Sequence, residues 1–417
     1  MRIHNEDKLK DFYKKEKLNV ALVTDAFYPS VGGVENVVSN LCNSFYKNKN
    51  VNVVCITGDV KGCKDFENFA IIRTKSIKVP KKWGLCQPVP ELDNKFKKQL
   101  DKLKIDVFHL HTVYGVASYC LKYAKKNNIP VLFHAHSKFN EEIPTCVKNK
   151  LIANIVVKRA YKFVNKCDKV IAVSNATRLN YIKNGVIDPQ IIVIPNTTNM
   201  KTNTNETEIK KYFCDKYNIT KNSPVLLFVG RMEMKCKNLD FLLESLKILK
   251  EKNFDFKMFM IGGGNDEAKL KEMCKNFDLE NNIIFTGKIT DQNLLSKYYY
   301  FADLFCFPST VDNCPIVKSE AASQKTPMLA IEGSASSENI EDNFNGFCCE
   351  LDKNIFASKI IEITKNQQKL NEVSVNAYNT LNVGWDNVAE QIFEIYKELI
   401  NKNFSNNKVN KEFEKTQ

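Results

Sequence analysis

The sequence predicts an α/β protein built from two doubly wound parallel sheets. Three observations carry that expectation: the length, an alternation of short apolar runs with helical patterns, and a restart of that alternation midway. At 417 residues the chain exceeds the usual size of one hydrophobic core. Apolar runs at 19–25, 51–57, 105–110, 130–136 and 169–173 are bounded by polar or glycine residues, with helical patterns between them, the first over 35–46. Such runs, separated by helices, form parallel strands buried on both faces. The pattern stops in the polar, Asn- and Thr-rich stretch 197–207 and resumes with strands at 225–229, 257–261, 282–286 and 303–307. The expected organisation is a first domain over 1–196, a second over 197–382 and a helix over 383–400. In that helix Val388, Ile392, Ile395 and Leu399 recur at helical spacing. The polar tail 401–417 is expected to be disordered.

Composition narrows the function classes. No apolar run approaches the ~18 residues of a membrane-spanning helix. The first residues, MRIHNEDKLKDFYKKEK, are charged and lack the apolar core of a signal peptide. The expected location is cytoplasmic, or peripheral on the inner face of the membrane. Fourteen cysteines form no C-x-x-C pair, and Cys55, Cys167 and Cys306 lie in apolar stretches as small hydrophobes, which fits a reducing compartment. The net charge of +13 has no helix-turn-helix, RNA-recognition or zinc-finger pattern to organise it, so nucleic acid is not an expected partner. An anionic membrane surface fits the charge better, and a lysine- and asparagine-rich background accounts for part of it.

Several segments carry chemistry. In 302–322, ADLFCFPSTVDNCPIVKSEAA, an apolar strand empties into a polar loop at its carboxyl end, where open α/β sheets bind ligands. Pro315 suits the first position of the following helix, whose amides at Ile316 and Val317 then face an anion. Glu320, a turn further in, can accept two hydrogen bonds from a ribose diol, with Asp312 nearer the sugar. The plainer alternative is a helix start whose acidic residue complements the dipole. Gly32 and Gly33 lie between the first strand and first helix, where backbone can approach a phosphate. Arg231 ends the strand VLLFVG, with Lys235 and Lys237 close behind, and fixed cations there lower the barrier to releasing a diphosphate. Two H-x-H pairs, His109/His111 and His134/His136, sit at strand ends, where alternating residues share a face and two pairs could hold a metal. Segment 147–166 has six basic and no acidic residues. Ile152, Val156, Val157, Ala160, Phe163 and Val164 fall on one side of its helical projection, and Lys148, Lys158, Arg159, Lys162 and Lys166 on the other. It is either a helix covering the sheet or a basic amphipathic helix on anionic lipid.

The Asp/Glu-x7-Glu spacing after F-P-S resembles the donor site of family 4 retaining glycosyltransferases with the GT-B fold. NVALVTDAFYPSVGGVENVV at 19–38, CDKVIAVSNATRLNYIKNG at 167–185, IIVIPN at 191–196, VLLFVGRM at 225–232 and FMIGGGNDEAKLKEM at 259–273 extend the resemblance, in order, over nearly the whole chain. VDNCPIVKSEAA with EGSASSENIEDNFNGF at 332–347 looks like the diacylglycerol glucosyltransferases. The resemblance implies two Rossmann-like domains with a cleft between them, the first taking the acceptor and the second the nucleotide sugar, and a C-terminal helix crossing back to the first.

It further implies a donor-binding set of Gly32, Gly33, Arg231, Lys237, Asp312, Ile316, Val317 and Glu320, with His136, Asp312, Arg231 and Lys237 at the reaction. The Arg-to-Lys spacing is one residue longer than the family's, so the site lysine is Lys237 or Lys235. The sugar-facing histidine is His136, or His134 by a shift in alignment, and His109 and His111 read as structural. Thr197 stands where the family commonly has glycine. The implied activity is retaining transfer of a hexose, glucose from UDP-glucose, to a membrane lipid such as diacylglycerol, at an anionic surface met through Lys158, Arg159 and Lys162. No cofactor or metal is expected, and no D-x-D motif is present. The alternatives are a polysaccharide or polyprenyl-linked acceptor, a metal-dependent hydrolase using the H-x-H pairs, and a catalytically silent scaffold.

Overall fold

The computed structural model describes residues 1–14, 16–30, 32–77, 87–220 and 223–415. The chain divides into two compact units, one made of Met1–Pro195 with Trp385–Gln417 and the other of Asn196–Gly384.

The N-terminal unit contains β1 (Arg2–His4), β2 (Leu18–Val23), β3 (Val51–Gly58), β4 (Ala70–Thr74), β5 (Ser76–Ile77), β6 (Gln87–Pro88), β7 (Val107–Leu110), β8 (Val131–Ala135), β9 (Lys169–Ala172) and β10 (Ile191–Val193). Eight of these form one sheet in the order β1-β4-β3-β2-β7-β8-β9-β10, while β5 and β6 pair with each other. The sheet is parallel except for β1, which runs antiparallel on β4. Strand order reverses between β2 and β7, the switch point at which open sheets take ligands. The apolar run of β2 tolerates one buried polar residue because Asn19 is satisfied: its side-chain amide donates to the carbonyls of Phe12 and Lys104, at 2.9 and 2.8 Å. Strand β4, not expected from sequence, contains the fully buried Arg73, which donates to the Gly58 carbonyl at 2.9 Å and pairs with Asp65.

The C-terminal unit contains β11 (Val225–Val229), β12 (Lys257–Ile261), β13 (Ile283–Gly287), β14 (Leu304–Phe307), β15 (Met328–Ile331) and β16 (Phe347–Cys349). They form one sheet in the order β13-β12-β11-β14-β15-β16, every pair parallel, with its reversal between β11 and β14. The unit's two ends are joined. The buried Thr197 hydroxyl accepts a hydrogen bond from the Gly384 amide at 3.1 Å, a role the family's glycine has no side chain to play.

The last helix begins at Trp385, not 383, and runs to Lys415. The expected helix end at 400 and disordered tail from 401 are therefore corrected: helix continues through 401–415. Its Trp385, Val388, Ile392, Tyr396 and Leu399 pack with Val20, Leu22, Cys55, Leu132 and Ile171 on the N-terminal sheet. Each sheet thus carries a core on both faces, as continuous apolar strands require.

Candidate functional site

In the C-terminal unit the backbone after β11 is clamped by glycines. Met232 donates its amide to the Gly263 carbonyl at 3.0 Å, and a Cβ on Gly262, whose φ is +141°, would collide with the Gly230 carbonyl. This fixes the turn that leads into the short helix Met234–Lys237. Lys237 is 9% exposed, and its Nζ lies 2.5 and 2.7 Å from the two carboxylate oxygens of Asp312 and 5.4 Å from the centre of the Phe307 ring. Ser309 donates to the Cys236 carbonyl at 2.9 Å and Asn238 to the Pro308 carbonyl at 3.0 Å, so the loop after β14 is stapled to the lysine's own segment. Lys235 is exposed. Of the two lysines the spacing left open, Lys237 is the one built into the switch point. Arg231 is 72% exposed and its guanidinium lies 2.9 Å from Glu233, so an incoming anion must compete for it.

Pro315 caps the helix Ile316–Ser323 instead of occupying its first helical position: its ψ of 120° is extended, so the helical turn begins one residue later. Ile316 and Val317 then supply the first amides of the helix, which lack partners within it. Glu320 lies on this helix and accepts a hydrogen bond from the Tyr299 hydroxyl at 2.9 Å. Burial raises its pKa and the Tyr299 bond opposes that shift. Tyr299 was missed from sequence, as was Lys318. Its buried ammonium donates to the Ser336 and Glu338 carbonyls at 3.3 and 2.6 Å, holding the 332–340 loop. Burial lowers its pKa.

In the N-terminal unit Gly32 is the N-cap of the helix Gly33–Lys47, and Gly33 is its first residue. A Cβ on Gly32 would lie 2.5 Å from a carboxylate oxygen of Glu35, whose other oxygen accepts from the Ser30 hydroxyl at 2.9 Å. Glu35 therefore folds back on the helix start, and phosphate contact there requires it to swing away. Asp25, just beyond β2, was also missed. Its Oδ1 accepts from the Val116 amide at 2.7 Å at the start of the helix Gly115–Lys126, and burial pushes its pKa up to about 6. Gly115, with φ +43°, leaves room for that carboxylate, since a Cβ would lie 2.5 Å from it.

The two H-x-H pairs meet at the ends of β7 and β8. His109, His111 and His134 are 0, 3 and 1% exposed, whereas His136 is half-buried. The His111 and His136 rings are joined Nδ1 to Nε2 at 2.9 Å, and the His109 Nδ1 meets the Tyr396 hydroxyl at 2.7 Å. Burial depresses all four imidazoles, His136 to about 3, so they are neutral near pH 7. The sheet encloses His134 and leaves His136 the more open of the second pair.

The basic segment forms the helix Lys150–Val164. Ala153, Ala160, Tyr161 and Val164 face the core, and Lys158, Arg159 and Lys162 are exposed. Ile152, expected on the packed side, is instead exposed together with Leu151 and Ile155. The small Ala153 takes the core position, and the register turns Ile152 outward.

Two family models match this chain: Glycosyltransferase Family 4 over residues 31–201 and Glycosyl transferases group 1 over residues 210–380. The chain is 24% identical to the alpha-monoglucosyldiacylglycerol synthase of Acholeplasma laidlawii over 94% of its length and 100% of that protein's. It is likewise 24% identical to the Streptococcus pneumoniae protein of the same name, over 93% of this chain and 87% of that one. Among solved structures, Anabaena HepE in complex with UDP and glucose superposes with a TM-score of 0.70 at 17% identity, covering 92% of this chain and 100% of that one. With two parallel-sheet units, ligand-type strand ends at each switch point and both family models in register, the chain belongs to the family 4 glycosyltransferases of the GT-B fold.

Proposed function

We propose that the protein transfers a hexose, glucose from UDP-glucose, to a membrane lipid such as diacylglycerol, with retention of configuration at the anomeric carbon. The observation that carries the lipid acceptor is the outer stripe of the helix Lys150–Val164. Leu151, Ile152 and Ile155 are 75, 53 and 52% exposed, and Lys158, Arg159 and Lys162 continue the same side. Large apolar side chains left in water beside a run of cations suit the boundary between anionic headgroups and acyl chains. Each cation near such a surface adds about 1 kcal/mol of attraction, which needs no spanning segment. No helix among the described residues is long and apolar enough to cross a membrane. The names of the two synthases that align over nearly the whole chain support the same acceptor.

For the donor, Lys237 and Arg231 would meet the departing diphosphate, aided by the Ile316 and Val317 amides and by the Gly32–Gly33 helix start. Glu320 would hold the ribose, and Asp312 and His136 would orient the sugar. No protein nucleophile is needed, since an oxygen of the leaving diphosphate can take the acceptor hydroxyl's proton as the new glycosidic bond forms on the same face.

The test is glucosyl transfer from UDP-glucose to diacylglycerol in vesicles, with co-sedimentation read alongside. Activity and binding are expected on anionic vesicles, with loss of both on neutral vesicles, at raised salt, or when Lys158, Arg159 and Lys162 are changed together to Glu. Leu151→Asp with Ile155→Asp is expected to act in the same direction. Transfer that proceeds equally well to a soluble or polyprenyl-linked glycan without a bilayer would overturn the lipid assignment.

A further inference from the structure

We propose that His109, His111 and His134 form a binding site for one divalent transition-metal ion of the zinc class, inside the N-terminal unit and independent of the glycosyl-transfer reading above. The three rings stand on one side of adjacent parallel strands: His109 pairs in register with Leu132, so residues two apart on β7 and β8 are brought together at the strand ends. One ring nitrogen from each lies within 4.8 Å of the others. Nitrogens bound to a single zinc ion at about 2.0–2.1 Å lie closer together than that, so metal binding would draw the rings inward by modest rotation.

The hydrogen bonds select the ligand atoms. Nδ1 of His109 meets the Tyr396 hydroxyl at 2.7 Å and Nδ1 of His111 meets Nε2 of His136 at 2.9 Å. With both Nδ1 atoms serving as donors, the Nε2 lone pairs of His109 and His111 are available, and neither atom has a partner among the described residues. His134 has no partner at either nitrogen among the described residues. Four buried ring nitrogens without partners are unusual in a folded interior, and one ion would satisfy three of them. Tyr396 and His136 would play the part that outer hydrogen-bond partners play at known metal sites, fixing tautomer and ring orientation. Burial holds all three imidazoles neutral, the form that ligates. An all-nitrogen set selects zinc, cobalt, nickel or copper and disfavours magnesium and calcium, which take oxygen. A fourth position would fall to a water molecule.

The experiment uses the full-length chain without a histidine tag, exposed to Zn²⁺, freed of loosely held ion by dialysis and measured by elemental analysis. Co²⁺ loading in parallel reports coordination through its visible ligand-field bands. About one ion per chain is expected, with the intense bands of a low-coordinate nitrogen site. His134→Phe is expected to abolish retention, His4→Ala to leave it unchanged, and Tyr396→Phe, which keeps the ring and removes the outer partner, to weaken affinity about 10- to 100-fold. Circular dichroism establishes that each variant is folded. Wild-type protein that retains no ion, or a folded His134→Phe or Tyr396→Phe protein that binds as tightly as wild type, overturns the site.

Discussion

In the C-terminal unit β11 and β14 end in ion pairs, Lys237 with Asp312 and Arg231 with Glu233, whereas in the N-terminal unit β7 and β8 end in imidazoles that burial keeps uncharged, and beyond β2 burial raises the Asp25 carboxyl to about 6. Both places are switch points of parallel sheets. The charged end is suited to a group whose negative charge grows during reaction, since Lys237 is already fixed by Asp312 and needs no reorganisation. The neutral end offers imidazole lone pairs and N–H groups with no fixed charge of their own, so it is suited to partners that need aligned donors and acceptors. The same topology therefore supplies two chemistries, and the choice is made by what packs around the strand ends.

The comparison is broken most directly at Lys237. Lys237→Ala is expected to lower kcat by about 10²- to 10³-fold, with Lys235→Ala changing it by no more than about twofold. The reverse ranking in steady-state kinetics would move the essential cation to Lys235. Arg231→Ala should follow with a loss of about 10²-fold, because the exposed Arg231 must first be drawn from Glu233. Next comes Glu320→Gln, expected to weaken donor binding by about 1.5–3 kcal/mol as a charge-assisted bond is lost. Tyr299→Phe should shift affinity the same way by a smaller amount, and calorimetric titration with the nucleotide sugar reads both. Unchanged affinity in Glu320→Gln would take that residue out of the site.

The smallest effect sharpens the neutral end. The folded-state pKa of Asp25 is raised from 3.8 to about 6, so its contribution to stability is fully present below about pH 4 and is lost as pH rises through about 6. Asp25→Asn keeps an acceptor for the Val116 amide and removes the titration. Relative to wild type, the variant should gain about 1 to 2 kcal/mol between pH 4 and pH 7 in denaturant unfolding, the full shift being discounted for partial exposure. A constant difference across that range would mean that the carboxyl is not held out of its ordinary range.

The strands that sequence located are those dominated by apolar residues, such as VLLFV in β11 and LFCF in β14, with single polar residues such as Asn19 tolerated within them. Strand β4 was hidden by Arg73, because a buried arginine is legible as core only once Asp65 and the Gly58 carbonyl are seen around it. β15 and β16 were also missed, although β15 is an apolar run of the same length as β14. Past residue 400 the chain is polar enough to look disordered, yet its lysines, glutamates and asparagines still form helix as a continuation of a packed one. At the candidate site the motif spacings singled out Asp312 and Glu320 and narrowed the lysine to Lys235 or Lys237, because each lies on a short stretch just beyond a recognisable strand end. Tyr299, Asp25 and Lys318 acquire their surroundings from segments distant in sequence, and nothing in their local pattern distinguishes them. The outward turn of Ile152 was misread because a helical projection fixes which residues share a side but leaves the tilt of that side against the core open.

The return of the last helix to the N-terminal unit has a consequence for how the protein is made. The first 195 residues leave the ribosome without Trp385, Ile392 and Tyr396, so one apolar face of their sheet is covered only in part, by Val37, Leu41 and Phe45 of the helix Gly33–Lys47, until residues 385–399 have been synthesised. The C-terminal unit is by contrast a single uninterrupted segment, 196–384, and can complete its core while the chain is still tethered. For this chain the usual order of synthesis is inverted: the half that is translated second is the first able to finish folding, and a truncated product strands the half that was made first.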